Sequence, residues 1–179
     1  MFYNGILIVT IIALLLLIFV IYRSRFIFLI EKINMAEESI EASLVKKIDI
    51  LKDLIPRLIK QSKKHRKPVD LKELDEDISI DDYYELYASL ADYYIDIKTA
   101  IDDNEKLLKK DEINRLYKLF NNNEENLLAA LKYYNDSVIK YNKLCSSFPS
   151  SIFSFILRYK KKGLYFIKQH EMYKILNDE

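Results

Sequence analysis

The sequence predicts an all-α membrane protein: an N-terminal transmembrane helix, then an antiparallel bundle of three long helices plus a short fourth C-terminal helix. Three observations predict it. Only two Gly and three Pro occur in 179 residues, too few turns for a sandwich, a barrel or repeated βαβ units. Residues 2–22 carry no charged side chain. From Phe26 onward apolar residues recur three and four apart, which is the helical period. The division that follows is an anchor over 1–22, a helical bundle over 23–166 and a C-terminal tail over 167–179.

The anchor reads FYNGILIVTIIALLLLIFVIY from Phe2 to Tyr22. About 20 such residues, rising 1.5 Å each, cross a hydrocarbon core. No Lys or Arg precedes the run, and its exit, Ile21-Tyr22-Arg23-Ser24-Arg25, is not a small-residue cleavage site. An uncleaved anchor therefore fits better than a removed signal peptide. A bundle helix would keep a polar face; this run is apolar all round. Arg23, Arg25 and Lys32 follow it, so the N-terminus is expected outside the cell membrane and the C-terminal domain in the cytoplasm.

The first helix beyond the anchor should run from Arg23 to about Ser62. Its apolar positions are Phe26, Ile30, Ile33, Ile40, Leu44, Ile48, Leu51, Ile55 and Leu58. Pro56 falls inside this pattern and deprives the Lys52 carbonyl of its donor, but the phase resumes at Leu58, so a bend is expected and not an end. A basic run, Lys60 to Lys67, and an acidic stretch, Asp70 to Asp82, then form the one long connection. The basic run lacks interleaved aromatics, and the formal net charge is +1, so nucleic acid is not an expected partner.

The second helix should run from about Asp82 to Leu108. Tyr83, Tyr87, Leu90, Tyr94, Ile97, Ile101, Asn104 and Leu108 form a heptad seam with one polar member, Asn104, which could fix register. The step to Ile113 is five, and Lys109-Lys110-Asp111-Glu112 fills it. A tight turn is expected there, with Asp111 capping the next helix; a continuous helix is the alternative. The third helix should carry Ile113, Tyr117, Phe120, Glu124, Leu127, Leu131, Tyr134, Val138, Tyr141, Cys145 and Phe148 on one seam. Asn121-Asn122-Asn123 looks like a loop by composition. The phase carries through it, so one helix of roughly 36 residues is expected. Glu124 then needs a donor or a wet cavity. Pro149 ends the helix, Ser150 or Ser151 caps a short amphipathic one, and Arg158 to Gly163 closes it.

Candidate chemistry is sparse. Cys145 is the single cysteine, so an intramolecular disulfide is excluded. Its seam position reads as a small buried residue. No cluster has metal-ligand spacing, no Gly-rich loop could hold phosphate, and His170-Glu171 lacks a second helical histidine. No catalytic, cofactor or metal residue is assigned. Two Tyr-Asn pairs, Tyr134-Asn135 and Tyr141-Asn142, sit one heptad apart before Ser147-Phe148-Pro149. Because they follow the seam, their rings are expected to pack and the asparagines to satisfy tyrosine or backbone groups.

These residues resemble the signature of the LemA family of bacterial membrane proteins. Glu124, Tyr133-Tyr134-Asn135, Val138, Tyr141-Asn142, Ser147-Phe148-Pro149, Tyr159-Lys160 and Tyr165-Phe166 occur in the family's order. Upstream, Asp53-Leu54-Ile55-Pro56 and Leu58 match its Asp-Leu-Ile-Pro motif. The resemblance implies an anchored antiparallel helical bundle and implies no reaction. The chain departs from the family pattern in having no tryptophan and in carrying Leu131 where an arginine tends to stand near the Glu. It also has Ile50-Leu51 in place of a basic pair.

The function expected is a membrane-anchored scaffold or adaptor with a protein partner. If each helix reverses the last, Ser150 to Gly163 joins Lys60 to Lys67 far from the membrane. Lys160, Lys161, Lys162, Phe153 and Phe155 are then the candidate interaction surface. The alternatives are an enzyme subunit or ligand-binding protein using a polar pocket near Glu124 and Asn135, and a self-assembling organiser registered by Asn104.

Overall fold

The computed structural model describes residues 2–64 and 83–165, and every regular element among them is helical. Helix α1 spans Phe2–Lys64, α2 Tyr83–Asp102, a 3-10 turn Glu105–Lys109, α3 Asp111–Ser146 and α4 Ser150–Ile156. The acidic stretch, His65, His170 and the tail lie outside the described residues, as does the end of the basic run after Lys64. The chain forms two compact units: one contains Met1–Glu37 and Lys132–Tyr165, the other Glu38–Leu131.

Helix α1 is uninterrupted for 63 residues. It is long and apolar enough to cross a membrane, and its apolar start is unburied. From Phe26 on, one face becomes core. Pro56 stands inside the helix and on its exposed side. Water can serve the carbonyl it orphans, while Leu54, Ile55 and Leu58 keep the buried face intact.

In the second unit α1, α2 and α3 pack as a bundle. Asn123 reaches Ser43, Glu124 reaches Lys47 and Glu112 reaches Arg57, so α3 descends as α1 climbs. The turn after Asp102 makes α2 and α3 a helical hairpin, in which Tyr94 stacks on Phe120 with centroids 5.9 Å apart. The second helix stops six residues short of the expected Leu108. Asn104 leaves the helical region (φ −147°, ψ 71°), and its backbone bonds Ile101 and Leu107 within the turn. Asn104 is therefore a turn residue and not a seam layer. Beyond it Leu107, not Leu108, is buried. The heptad count failed because a 3-10 turn advances three residues per revolution and shifts the buried position.

Helix α3 has the expected length, 36 residues, and passes through Asn121-Asn122-Asn123 without a break. It buries Ile113, Leu116, Phe120, Leu127, Leu131, Tyr134, Val138 and Tyr141. It ends at Ser146, so Phe148 is off the seam and 83% exposed. Neither serine caps α4: Pro149 holds the N-cap position without a side-chain bond. Ser150 instead donates to the Ser147 carbonyl at 2.7 Å.

The C-terminus of α4 closes in a Schellman arrangement. Tyr159 N–H donates to Ser154 O at 2.9 Å and Arg158 N–H to Phe155 O at 3.2 Å. Arg158 carries the left-handed conformation (φ 56°) that a glycine would occupy with less strain.

Candidate functional site

The first unit answers what the Tyr-Asn pairs do. After Arg158 the chain has no helix and runs back along α3 to Tyr165. Asn142 donates through Nδ2 to the Lys162 carbonyl at 2.8 Å and accepts the Lys162 N–H on Oδ1 at 2.9 Å. Asn135 does the same to Tyr165, 2.9 Å each way. A side-chain amide offers one donor and one acceptor side by side, as a peptide group does. Each asparagine thus replaces the neighbouring strand that an extended segment would otherwise need.

The spacing follows from geometry. Seven residues of helix rise about 10.5 Å, and three residues of extended chain cover about 10 Å. A heptad of asparagines on α3 therefore meets Lys162 and Tyr165 in register. Between them, the Tyr134 hydroxyl donates to the Gly163 carbonyl at 3.3 Å, and its ring meets Tyr165 edge-on at 4.7 Å. Burial, helped by Glu37 and Tyr165, pushes the Tyr134 hydroxyl up to about 12. Tyr141 packs edge-on against Phe26, 5.9 Å between centroids, while Tyr159 covers Phe26 at 4.8 Å. Burial first, then the Cys145 thiol beside it, pushes Tyr141 up to about 12 as well.

The second unit buries an ion pair. Lys47 Nζ lies 2.8 Å from Glu124 Oε1, with side chains 1% and 5% exposed. Lys47 also approaches the face of Phe120, at 5.8 Å. One turn away the Asn123 amide donates to the Ser43 carbonyl at 2.9 Å. Burial pulls the Lys47 ammonium down, and Glu124 opposes that shift. Glu124 therefore does have an ionic partner, although Leu131 removes the arginine. Lys47 stands three residues after Leu44 and four before Leu51. That seam step was the overlooked signal.

The polar groups of the suggested pocket are both engaged: Glu124 by Lys47, and both ends of the Asn135 amide by the Tyr165 backbone. Among the described residues no group of His, Cys, Asp and Glu is arranged to hold a metal.

The proposed interaction surface is redistributed. Phe153 is half-buried, stacked on Tyr22 with centroids 4.9 Å apart and tilted against Phe19 at 6.0 Å. Lys162 is pinned by its backbone, and its ammonium lies 3.6 Å from Glu37. Lys160, Lys161 and Phe155 are exposed. The contact with Tyr22 also corrects the placement of this segment, which was expected far from the membrane and lies beside the end of the apolar run. The expectation failed because it reversed direction at every connection. Helix α3 runs opposite to α1, as the pairs Asn123–Ser43, Glu124–Lys47 and Glu112–Arg57 show, whereas that expectation had the two helices climbing together.

No curated protein and no solved structure matches the chain. The profile of the LemA family matches residues 36–175, a span holding the buried ion pair, both Tyr-Asn pairs, α4 and the segment they hold. The chain belongs to the LemA family.

Proposed function

We propose that the protein is a single-pass, membrane-anchored scaffold or adaptor whose helical units bind a protein partner in the cytoplasm, without catalysis. One observation carries the reading: α1 is one helix from Phe2 to Lys64, apolar and unburied at its start and core-forming from Phe26 on. Anchor and bundle therefore share a backbone without a linker, so what the bundle holds is tied to the bilayer. The engagement of Glu124, Asn135 and Asn142 within the fold also supports binding over chemistry, since a reacting group needs access to its substrate.

Photo-crosslinking in native membranes tests it, with the probe at Ile95 or Ile139, which are 48% and 52% exposed. A discrete protein adduct is expected that disappears when residues 2–22 are deleted. Labelling of lipid and water alone at both positions would overturn the scaffold reading.

A further inference from the structure

Helix α4 and the residues before it leave large apolar side chains exposed. Phe148 is 83% exposed, Phe155 86%, Ile156 59% and Ile152 49%. Four large apolar side chains exposed within nine residues are more than the single scattered ones a soluble surface carries. Phe153 ties α4 to α1, stacking on Tyr22 and lying against Phe19. Those two aromatics close the apolar run of α1. Aromatic rings at the end of a span sit at the headgroup level.

Beside α4 is a groove of about 480 Å³ between α1 and the end of α3. Its charged lining is Arg25, Lys140 and Lys143, with no acidic residue, and Phe28, Leu29 and Phe148 give it apolar walls. Cations over apolar walls suit an amphiphile with an anionic head. Free phosphate would leave those walls in water.

We propose that α4 lies in the plane of the leaflet that α1 leaves, with Phe148 and Phe155 among its acyl chains, and that the groove binds an anionic phospholipid headgroup of that leaflet. The proposal rests on α1 being a membrane anchor. It makes the C-terminal segment a second membrane contact: the two asparagines hold Lys162 and Tyr165 to α3, and the chain between them and Pro149 is pressed toward lipid. Recognition uses the same physics as other interfacial helices, apolar insertion plus attraction of basic residues to anionic headgroups.

The chain has no tryptophan, so Phe155→Trp and Leu16→Trp each create a single reporter in the full-length protein. Both are reconstituted in phosphatidylcholine vesicles, with or without phosphatidylglycerol, and quenched by brominated lipid or by aqueous iodide. Leu16→Trp reports the anchor and Phe155→Trp reports α4. Both are expected to be quenched by lipid and protected from iodide. Bromine on phosphatidylglycerol should outcompete bromine on phosphatidylcholine at Phe155→Trp, on the order of fivefold per contacting cation. The added changes Arg25→Gln, Lys140→Gln and Lys143→Gln should abolish that preference while lipid quenching itself persists. If Leu16→Trp is quenched by lipid but Phe155→Trp by iodide, the anchor stands and the inference falls. Protection of Phe155→Trp from both quenchers would mean a second copy or the tail covers α4, which also overturns it. Iodide quenching at Leu16→Trp would overturn the anchor itself.

Discussion

At the scale of single residues, the pair Lys47–Glu124 carries the largest electrostatic stakes among the described residues. Two buried charges stabilise a core only when each satisfies the other. Glu124→Gln leaves the Lys47 charge buried without a counterion and should cost about 3–5 kcal/mol, read from urea unfolding of the detergent-solubilised protein. Lys47→Met combined with Glu124→Leu should recover most of that loss, because the desolvation cost disappears with the charges. Additive losses in the double variant would show that the two side chains do not act as a pair. Glu124 was legible as a seam residue needing a partner. Its partner was legible only as the seam step Leu44-Lys47-Leu51, a weak signal because a lysine there is usually a chain reaching for solvent.

Tyr134 and Tyr141 give a pH dependence of definite sign. Both hydroxyls are pushed up to about 12 from a value near 10, so folding favours their neutral form. Their contribution is complete below pH 10 and is lost as pH rises through the folded values, toward 12. Lys47 works in the opposite sense, since its lowered value makes alkali favour the fold. The tyrosine effect is therefore isolated by difference: Tyr134→Phe should lose less stability than the parent between pH 10 and 12. An identical alkaline slope would contradict the assignment.

Among the elements, the segment from Arg158 to Tyr165 depends on two side chains. Each asparagine supplies two hydrogen bonds of about 1 kcal/mol net, so Asn142→Ala or Asn135→Ala should loosen the segment by about 2 kcal/mol at most. The readout is local. Hydrogen exchange at the Lys162 amide should accelerate in Asn142→Ala, and at the Tyr165 amide in Asn135→Ala, with α3 amides unchanged. Global loss of protection would instead place these asparagines in the core's stability.

Element boundaries were legible wherever phase continued, through Pro56 and through Asn121 to Asn123. They were not where the chain changed helix type. Nothing in the composition of Asn104-Glu105-Lys106-Leu107 distinguishes a 3-10 turn from a last α turn, since both satisfy backbone groups locally. The role of Asn135 and Asn142 was half legible. Their stripe on α3 follows from periodicity, but their partners lie 30 and 20 residues ahead, respectively, in an irregular segment. Local pattern holds no information on where such a segment returns.

For the molecule as a whole, helical content and the apolar run followed from composition, and direction did not. Knowing that α3 opposes α1 required contacts, and it moves Lys160, Lys161 and Phe155 to the segment packed against Tyr22. An anchored scaffold requires that residues 2–22 stay on the chain and stay in the bilayer. Alkaline extraction of membranes, followed by mass spectrometry of the N-terminal peptide, tests this most directly. The account predicts that the protein remains in the membrane pellet with residues 2–22 attached, and is released when they are deleted. Recovery in the soluble fraction, or a chain cut near Tyr22, would contradict it.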